Sequence, residues 1–365
     1  MTTSTPGRLR LSRCVRLLAL AGLLSGACAR QSSIATTESG VSGPLASATP
    51  LLPLSPTVQP TPSARVLSEA GCCARHWWSL DGSRVLYIDD PPGDSPLGIY
   101  AAPTVGGEVS LVSTSVSGED LSPEDAPPEL MGAFDRGDPA FRIPADADNV
   151  RLSPDGTAVA WTVGSSLPVN VDRRQRSLWV FGGPTGLRRR LAILTGGDLV
   201  GWADDGEAVV ATGRVSADGA PGIWRIPIEG SSPTQLAEGE RPRAARLSPT
   251  ARWLAYYLAF ETEPARNGLW IVGTSGEAAR RVPSFGSYRW GADERLFFIP
   301  FVPEDRSLTL AAFDPATGTT EVVREAEAFP GGIAANDWSV SPDGRWVVYR
   351  SATDAALWIV PMSVE

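Results

Sequence analysis

From Trp338 to Val360 the chain runs through a short apolar stretch, a Ser-Pro-Asp-Gly turn, an alternating apolar stretch over Trp346 to Tyr349 and, after a gap, another around Leu357-Trp358. Alternation places every second side chain on one face of a strand. Asp-Gly between two such stretches signals a hairpin, because the turn needs a positive φ that Gly adopts without a Cβ penalty. This unit predicts consecutive antiparallel strands.

The unit recurs. Its turn appears as SLDG at Ser79, SPDG at Ser153, ADDG at Ala203, SPTA at Ser248, GADE at Gly291 and SPDG at Ser341. Third positions of successive turns lie 74, 50, 45, 43 and 50 residues apart, close to the roughly 40 to 50 residues of a four-stranded propeller blade except for the first. Four residues after the third position come Val85, Val159, Val209, Leu254, Phe297 and Val347, and six after it come Tyr87, Trp161, Ala211, Tyr256, Ile299 and Tyr349. Third strands are predicted at Ile99-Tyr100, Leu178-Trp179, Ile223-Trp224, Leu269-Trp270, Leu308-Thr309 and Leu357-Trp358. Fourth strands are predicted near Leu111, Leu191, Leu236, Val282 and Val323.

The sixth copy has no fourth strand before Glu365. Arg65 to Ser68 precedes the first turn, alternates, and reads like the fourth-strand segment Thr234 to Glu238. A naked strand edge is usually paired or blocked, so this segment is expected to pair with Leu357 to Val360 and close the ring. The expected fold is all-β: a six-bladed β-propeller of four-stranded antiparallel blades over residues 64–365, closed by an N-terminal strand that completes the last blade. These units resemble those of TolB-like, WD-repeat-like bacterial β-propellers, in which SPDG, an aromatic-rich second strand and an Ile/Leu-Tyr/Trp third strand recur. Thr250-Ala251 and Asp293-Glu294 depart from that pattern. The resemblance implies architecture and leaves activity open, since propellers host binding, scaffolding and catalysis alike.

The long first interval holds residues 117–149, with nine acids and two Arg. Leu121 to Asp125 faintly echoes the turn, but the 30 residues from Asp125 to Asp155 are too few for four strands. An acidic loop projecting from one face is expected there, rather than a seventh blade.

Residues 1–28 have the parts of an export signal: Arg8, Arg10, Arg13 and Arg16, an apolar run from Leu17 to Leu24, then small residues ending at Cys28. Ser25-Gly26-Ala27-Cys28 resembles the lipobox of bacterial lipoproteins, with Ser25 where Leu is usual, and implies acylation of Cys28. Ala27-Cys28-Ala29 also fits an ordinary small-x-small cleavage site, which would release a soluble exported protein. In residues 29–63, 18 of 35 are Ser, Thr or Pro, a composition that cannot bury a core and predicts a disordered tether of about 30 Å as a coil. An acylated cysteine would give such a tether a role. The expected location is the cell envelope, lipid-anchored to a membrane on its periplasmic or other extracytoplasmic face.

Charge and composition then exclude several chemistries. All 32 basic residues are Arg, which rules out a P-loop lysine, a Schiff-base lysine and a Ser-Lys dyad. His76 stands alone as histidine, so a triad would have to use it and a multi-histidine metal site cannot form. No G-x-S-x-G elbow occurs, which separates the chain from the prolyl-oligopeptidase-like peptidases whose propellers it also resembles. Removal of the signal would take four Arg and no acid, moving the net charge from −9 to −13, a poor match for nucleic acid. Cys72 and Cys73 are adjacent; a bond between them would be strained, and two ordinary thiols are expected.

Two residues before each turn stand Trp77, Arg151, Gly201, Arg246, Arg289 and Ser339. Arg151, Arg246 and Arg289 in one register are expected to line the central channel, where a carboxylate or phosphate can be held bidentately. Pairing of each Arg with an acid on a neighbouring blade is the simpler alternative. Asp148, Asp198 and Asn336, seven residues before their turn position, raise a Ca²⁺ site at a channel mouth, but only three of six blades contribute. Every Trp but Trp77 falls on a repeat-phased strand position, which suggests packing between blades rather than a carbohydrate platform. The arginines at 173–176 and 188–190 read as solvated faces.

No catalytic residue, metal or cofactor is assigned. The expected function is a non-catalytic, monomeric binding or scaffold module for an envelope protein or peptide, held to a membrane through Cys28. The alternative is a Ca²⁺-assisted propeller hydrolase acting at the central channel.

Overall fold

The computed structural model describes residues 64–69, 75–118, 120–122, 124–126, 143–164, 173–182, 186–216, 218–301 and 308–362. Cys28, the tether, Cys72 and Cys73 lie outside the described residues.

Six four-stranded antiparallel sheets follow one another along the chain. After β1 (Arg65–Ser68), blade one comprises β2 (His76–Trp78), β3 (Arg84–Asp89), β4 (Gly98–Pro103) and β5 (Ser110–Ser113). Blade two comprises β6 (Ala147–Leu152), β7 (Ala158–Gly164), β8 (Gln175–Gly182) and β9 (Arg189–Thr195). Blade three has β10 (Leu199–Trp202), β11 (Ala208–Gly213), β12 (Gly222–Pro227) and β13 (Thr234–Glu238). In blade four are β14 (Arg243–Leu247), β15 (Trp253–Leu258), β16 (Gly268–Gly273) and β17 (Arg280–Arg281). Blade five holds β18 (Gly286–Trp290), β19 (Leu296–Pro300), β20 (Leu310–Phe313) and β21 (Thr320–Arg324). Blade six holds β22 (Ile333–Val340), β23 (Trp346–Ser351) and β24 (Leu357–Pro361), and its fourth strand is β1. This is a six-bladed β-propeller.

The turn motif has a local physical cause. Buried Ser79, Ser153 and Ser341 donate their hydroxyls to the carboxylates of Asp81, Asp155 and Asp343, at 2.7, 2.6 and 2.5 Å. The same oxygens accept the backbone N–H of Arg84, Ala158 and Trp346, at 3.0, 2.9 and 3.0 Å. Each Asp also accepts the N–H two residues on, as Asp155 does from Thr157 at 3.0 Å. These bonds hold Asp81 and Asp155 down to about 2; the backbone N–H of Ser83 contributes most at Asp81 and the Ser153 hydroxyl most at Asp155. The fourth turn residue has positive φ in all six copies: Gly82, Gly156, Gly206 and Gly344, but also Ala251 (60°) and Glu294 (65°). The two departures from Asp-Gly keep the left-handed backbone at a steric cost.

Strand alternation sorts side chains between neighbouring blades. Val347 and Tyr349 pack with Phe297 and Ile299 of blade five, whereas Val348 packs with Val85 and Tyr87 of blade one. Both faces of the second strands are therefore covered, and Val85, Leu86 and Tyr87 are all buried. Shared apolar clusters join blades two and three, three and four, four and five, five and six, and six and one.

β1 runs antiparallel to β24, with Arg65 opposite Ile359 and Val66 opposite Trp358. Leu67 enters the cluster between blades six and one, and its carbonyl accepts the Tyr87 hydroxyl at 3.0 Å. The predicted segment thus completes the last sheet. Two strand expectations shift. The third strand of blade five begins at Leu310, not Leu308, because Leu310 to Phe313 carry the side chains buried against β19. In blade four β17 ends at Arg281, one residue before Val282, whose N–H still bonds Leu269 at 2.9 Å.

Blades one and two share no such cluster among the described residues. Leu121 packs on the blade-one cluster of Trp77, Leu86 and Ile99, and Ile143 on the blade-two cluster of Val159 and Trp161. Glu124 and Asp125 accept the N–H of Leu80 and the indole N–H of Trp77 through their carbonyls, at 2.8 and 2.9 Å. The Asp125 carboxylate, buried, pairs with Arg84 at 2.8 Å. The described ends of the acidic insertion are therefore packed onto the blades, because they carry the apolar side chains that cover these faces.

Candidate functional site

In each sheet the first strand of the repeat is an edge, and β6, β10, β14, β18 and β22 contact one another in sequence-neighbour pairs β6–β10, β10–β14 and β18–β22. They surround an axial cavity of about 620 Å³ lined by Arg151 of β6, Val200 of β10, Ala244 to Leu247 of β14, Arg289 and Trp290 of β18, and Ser339 and Val340 of β22. The three in-register arginines face this one space. Among the described residues, no carboxylate lines it.

Bulges help to aim them. The pairing register shifts between Asp148 and Arg151 in β6 and between Arg243 and Arg246 in β14. At the equivalent position, six residues before the turn's third residue, Asn149 and Ala244 have φ of 47° and 49°. An extra residue there bends the strand and re-aims the side chains beyond it. Repeat-phased tryptophans then lock the strands to one another. The indole N–H of Trp202 donates to the Arg151 carbonyl at 2.9 Å and that of Trp290 to the Arg246 carbonyl at 3.0 Å. Trp338 and Trp78 likewise donate to the hydroxyls of Ser287 and Ser339, each at 2.9 Å. No Trp is exposed, which fits packing and positioning between blades, and Trp290 also lines the cavity.

The three guanidiniums differ. Arg289 is fixed by backbone carbonyls: Nε to Trp338 at 2.9 Å, Nη1 to Tyr288 at 2.7 Å and Nη2 to Asn336 at 2.5 Å. It also lies over the Trp338 ring, 5.1 Å from its centroid. Burial, and secondly the charge of Arg246, lower its pKa. Arg151 and Arg246 are exposed to the cavity. Arg151 donates Nη1 to its neighbour's carbonyl, Val150, at 3.2 Å. Among the described residues neither is in an ion pair. Pairing of each Arg with an acid on a neighbouring blade is therefore not what this geometry provides.

The oxygen set raised for Ca²⁺ is arranged otherwise. Asp148 and Asp198 both face the Arg176 guanidinium, at 3.7 and 3.3 Å. Asp198 also accepts the N–H of Leu199 at 2.8 Å and the Thr162 hydroxyl at 3.1 Å. Asn336 offers its carbonyl to Arg289. Among the described residues no group of three or more His, Cys, Asp or Glu is placed to hold a metal. The 173–176 and 188–190 arginines are not merely solvated: Arg176 is half-buried between those two acids, and Arg188 stacks on Trp179 at 4.6 Å.

His76, unremarked as a contributor to the site by its position on β2, is buried with Nδ1 3.4 Å from Asp337, which also faces Arg350 at 3.9 Å. Burial lowers its pKa most; Asp337 opposes this and Arg289 adds to it.

The fold and cavity together define a six-bladed propeller with an arginine-lined axial cavity. No protein-family profile matches the chain, and no curated protein does. Among solved structures it is similar to an oligogalacturonate lyase in complex with manganese, at 13% identity and a TM-score of 0.41, covering 79% of this chain and 76% of that one. A putative TolB from Agrobacterium tumefaciens is 16% identical with a TM-score of 0.36, over 82% and 91% of the two chains. TolB from Acinetobacter baumannii is 14% identical with a TM-score of 0.28, over 80% of this chain and 54% of that one. At these scores the fold assignment rests on the six sheets themselves.

Proposed function

We propose that this chain is an exported, membrane-anchored propeller that binds an envelope protein or peptide without catalysis, and that the axial cavity is where the partner engages. One observation carries the reading: three arginines from three blades converge on one cavity whose lining, among the described residues, holds no acid, in a chain of net charge −9. Such a site attracts an anionic group, whereas its lining among the described residues has no histidine, carboxylate or cysteine to act as base, acid or nucleophile. The export signal and the lipobox-like residues support anchoring at Cys28, and the Ser/Thr/Pro-rich tether provides reach from a membrane.

The test has two parts. Replacement Cys28→Ser should move the protein from the membrane fraction to the soluble one; a wild type that is already soluble would end the anchoring claim. Affinity capture of envelope proteins should retain a partner on the wild-type propeller and lose it on Arg246→Ala. Capture indifferent to Arg246 would remove the axial cavity as the site.

A further inference from the structure

We propose that the axial cavity captures the carboxyl end of a partner polypeptide, with the terminal carboxylate on Arg246 and Arg151 and the last side chain against the apolar wall. This rests on the reading above that the cavity is a binding site.

Arg289 supplies a fixed positive charge: each of its nitrogens donates to a backbone carbonyl, which takes three of its five N–H groups, so it sets the field and keeps fewer donors for a ligand than a free guanidinium. Arg246 has no side-chain hydrogen bond or ion pair among the described residues, and Arg151, with one Nη1 bond to the Val150 carbonyl at 3.2 Å, keeps its other N–H groups for a carboxylate. Ser339 accepts the Trp78 indole N–H at 2.9 Å and lines the cavity, so its own hydroxyl proton can turn toward the ligand.

The rest of the lining selects among anions. Val200, Ala245, Leu247, Trp290 and Val340 make an apolar wall beside the guanidiniums. A bare inorganic oxyanion gains nothing from that wall, while a chain end carrying an apolar side chain gains from both. Topology favours an end over a mid-chain acid. A cavity lined by first strands from blades two to six takes a terminus as one strand, whereas an internal acidic residue would have to bring two strands into the same space. The volume of about 620 Å³ suits a few residues.

The probe is a pool of fluorescent hexapeptides, Gly-Ser-Gly followed by three randomised apolar positions, made with a free carboxylate and as the carboxamide. Fluorescence anisotropy is measured against the full mature protein, with inorganic phosphate and glutarate as competitors. The free-acid pool should bind and the amide pool should bind at least about tenfold more weakly, as expected for loss of a charge-assisted hydrogen bond. Arg246→Ala should cost about 10- to 100-fold, and Arg151→Gln gives a second variant should the first lose its unfolding midpoint. Arg280→Ala, on the outer strand β17, should change nothing. Binding should weaken as salt rises.

Equal binding of acid and amide pools, no binding of either, or indifference to both site variants would overturn the proposal. So would competition by phosphate or glutarate at lower concentration than the free-acid pool, since the site would then read a free or side-chain anion. If partner capture depends on Arg246 but is not blocked by the free-acid pool, the carboxyl-end proposal fails while the axial binding site stands. If capture ignores Arg246, the reading beneath it fails.

Discussion

Truncation of Leu67 to Ala tests how β1 completes the last sheet. Leu67 is 7% exposed and packs with Val85, Tyr87 and Tyr100 of blade one and with Val348, Leu357 and Ile359 of blade six. Its neighbour Val66 is 43% exposed, so one strand offers an internal comparison. Leu→Ala at a buried site costs about 2 to 5 kcal/mol, from lost transfer energy and the cavity left behind. An outer strand can settle partly into that space, so about 2 to 3 kcal/mol is expected here. Val66→Ala should cost less than about 1 kcal/mol. Equilibrium denaturant unfolding of the full chain, followed by tryptophan fluorescence, should show a lower midpoint with unchanged slope for Leu67→Ala. Deleting residues 64–69 should be worse still, because it also strips the partners from β24 and leaves its backbone groups as an open edge. Deleting residues 29–63 should leave the midpoint in place. Equal midpoints for the Leu67 and Val66 variants, or equal effects of the two deletions, would refute the placement of this strand.

Ala251→Gly should stabilise by up to about 1 kcal/mol, because Gly relieves the left-handed strain at φ 60° while gaining freedom in the unfolded chain; Glu294→Gly should gain less, since the Glu294 carboxylate accepts the Thr250 N–H at 2.9 Å. A lowered midpoint for Ala251→Gly would contradict this. Ser341→Ala should cost about 1 to 2 kcal/mol, since it leaves the half-buried N–H of Trp346 without its acceptor; an unchanged midpoint would show that the hydroxyl is dispensable. The folded-state values of Asp81 and Asp155 lie near 2, below the ordinary 3.8, so their contribution is full above about pH 4 and is lost as pH falls toward 2; the loss should shrink when both are replaced by Asn. His76 is likewise depressed, by burial, so its neutral form favours the fold: stability should fall as pH drops below about 6.5. His76→Gln should flatten the midpoint between pH 5 and 7, and a wild type already flat there would refute it.

Much of this architecture was legible because it repeats. Ser-x-Asp-Gly appears where a buried hydroxyl and a carboxylate must close a turn on left-handed backbone, and that requirement is local, so residues such as Ser153, Asp155 and Gly156 announce it. The partner of β24 could also be inferred, since strand counting left Arg65 to Ser68 without a blade. The register of Arg151, Arg246 and Arg289 followed from the same periodicity.

What the alternation could not reveal is which neighbour each face meets. Val347 and Val348 are adjacent and both buried, yet they pack on different blades, a choice made only when sheets assemble radially. The fate of each charge was equally non-local. Asp148 and Asp198 read as ligand oxygens until Arg176, from a strand outside their register, came between them. Arg289 gained backbone carbonyls from blade six, while Arg151 and Arg246, alike in sequence position, face the cavity without an ion pair among the described residues. The sequence by itself determined the strands, their turns and the arginine register, because these depend on neighbours along the chain. The tertiary structure alone decided which acids were already paired and which cations were left facing the axis, because charge pairing depends on distances between blades that no spacing encodes.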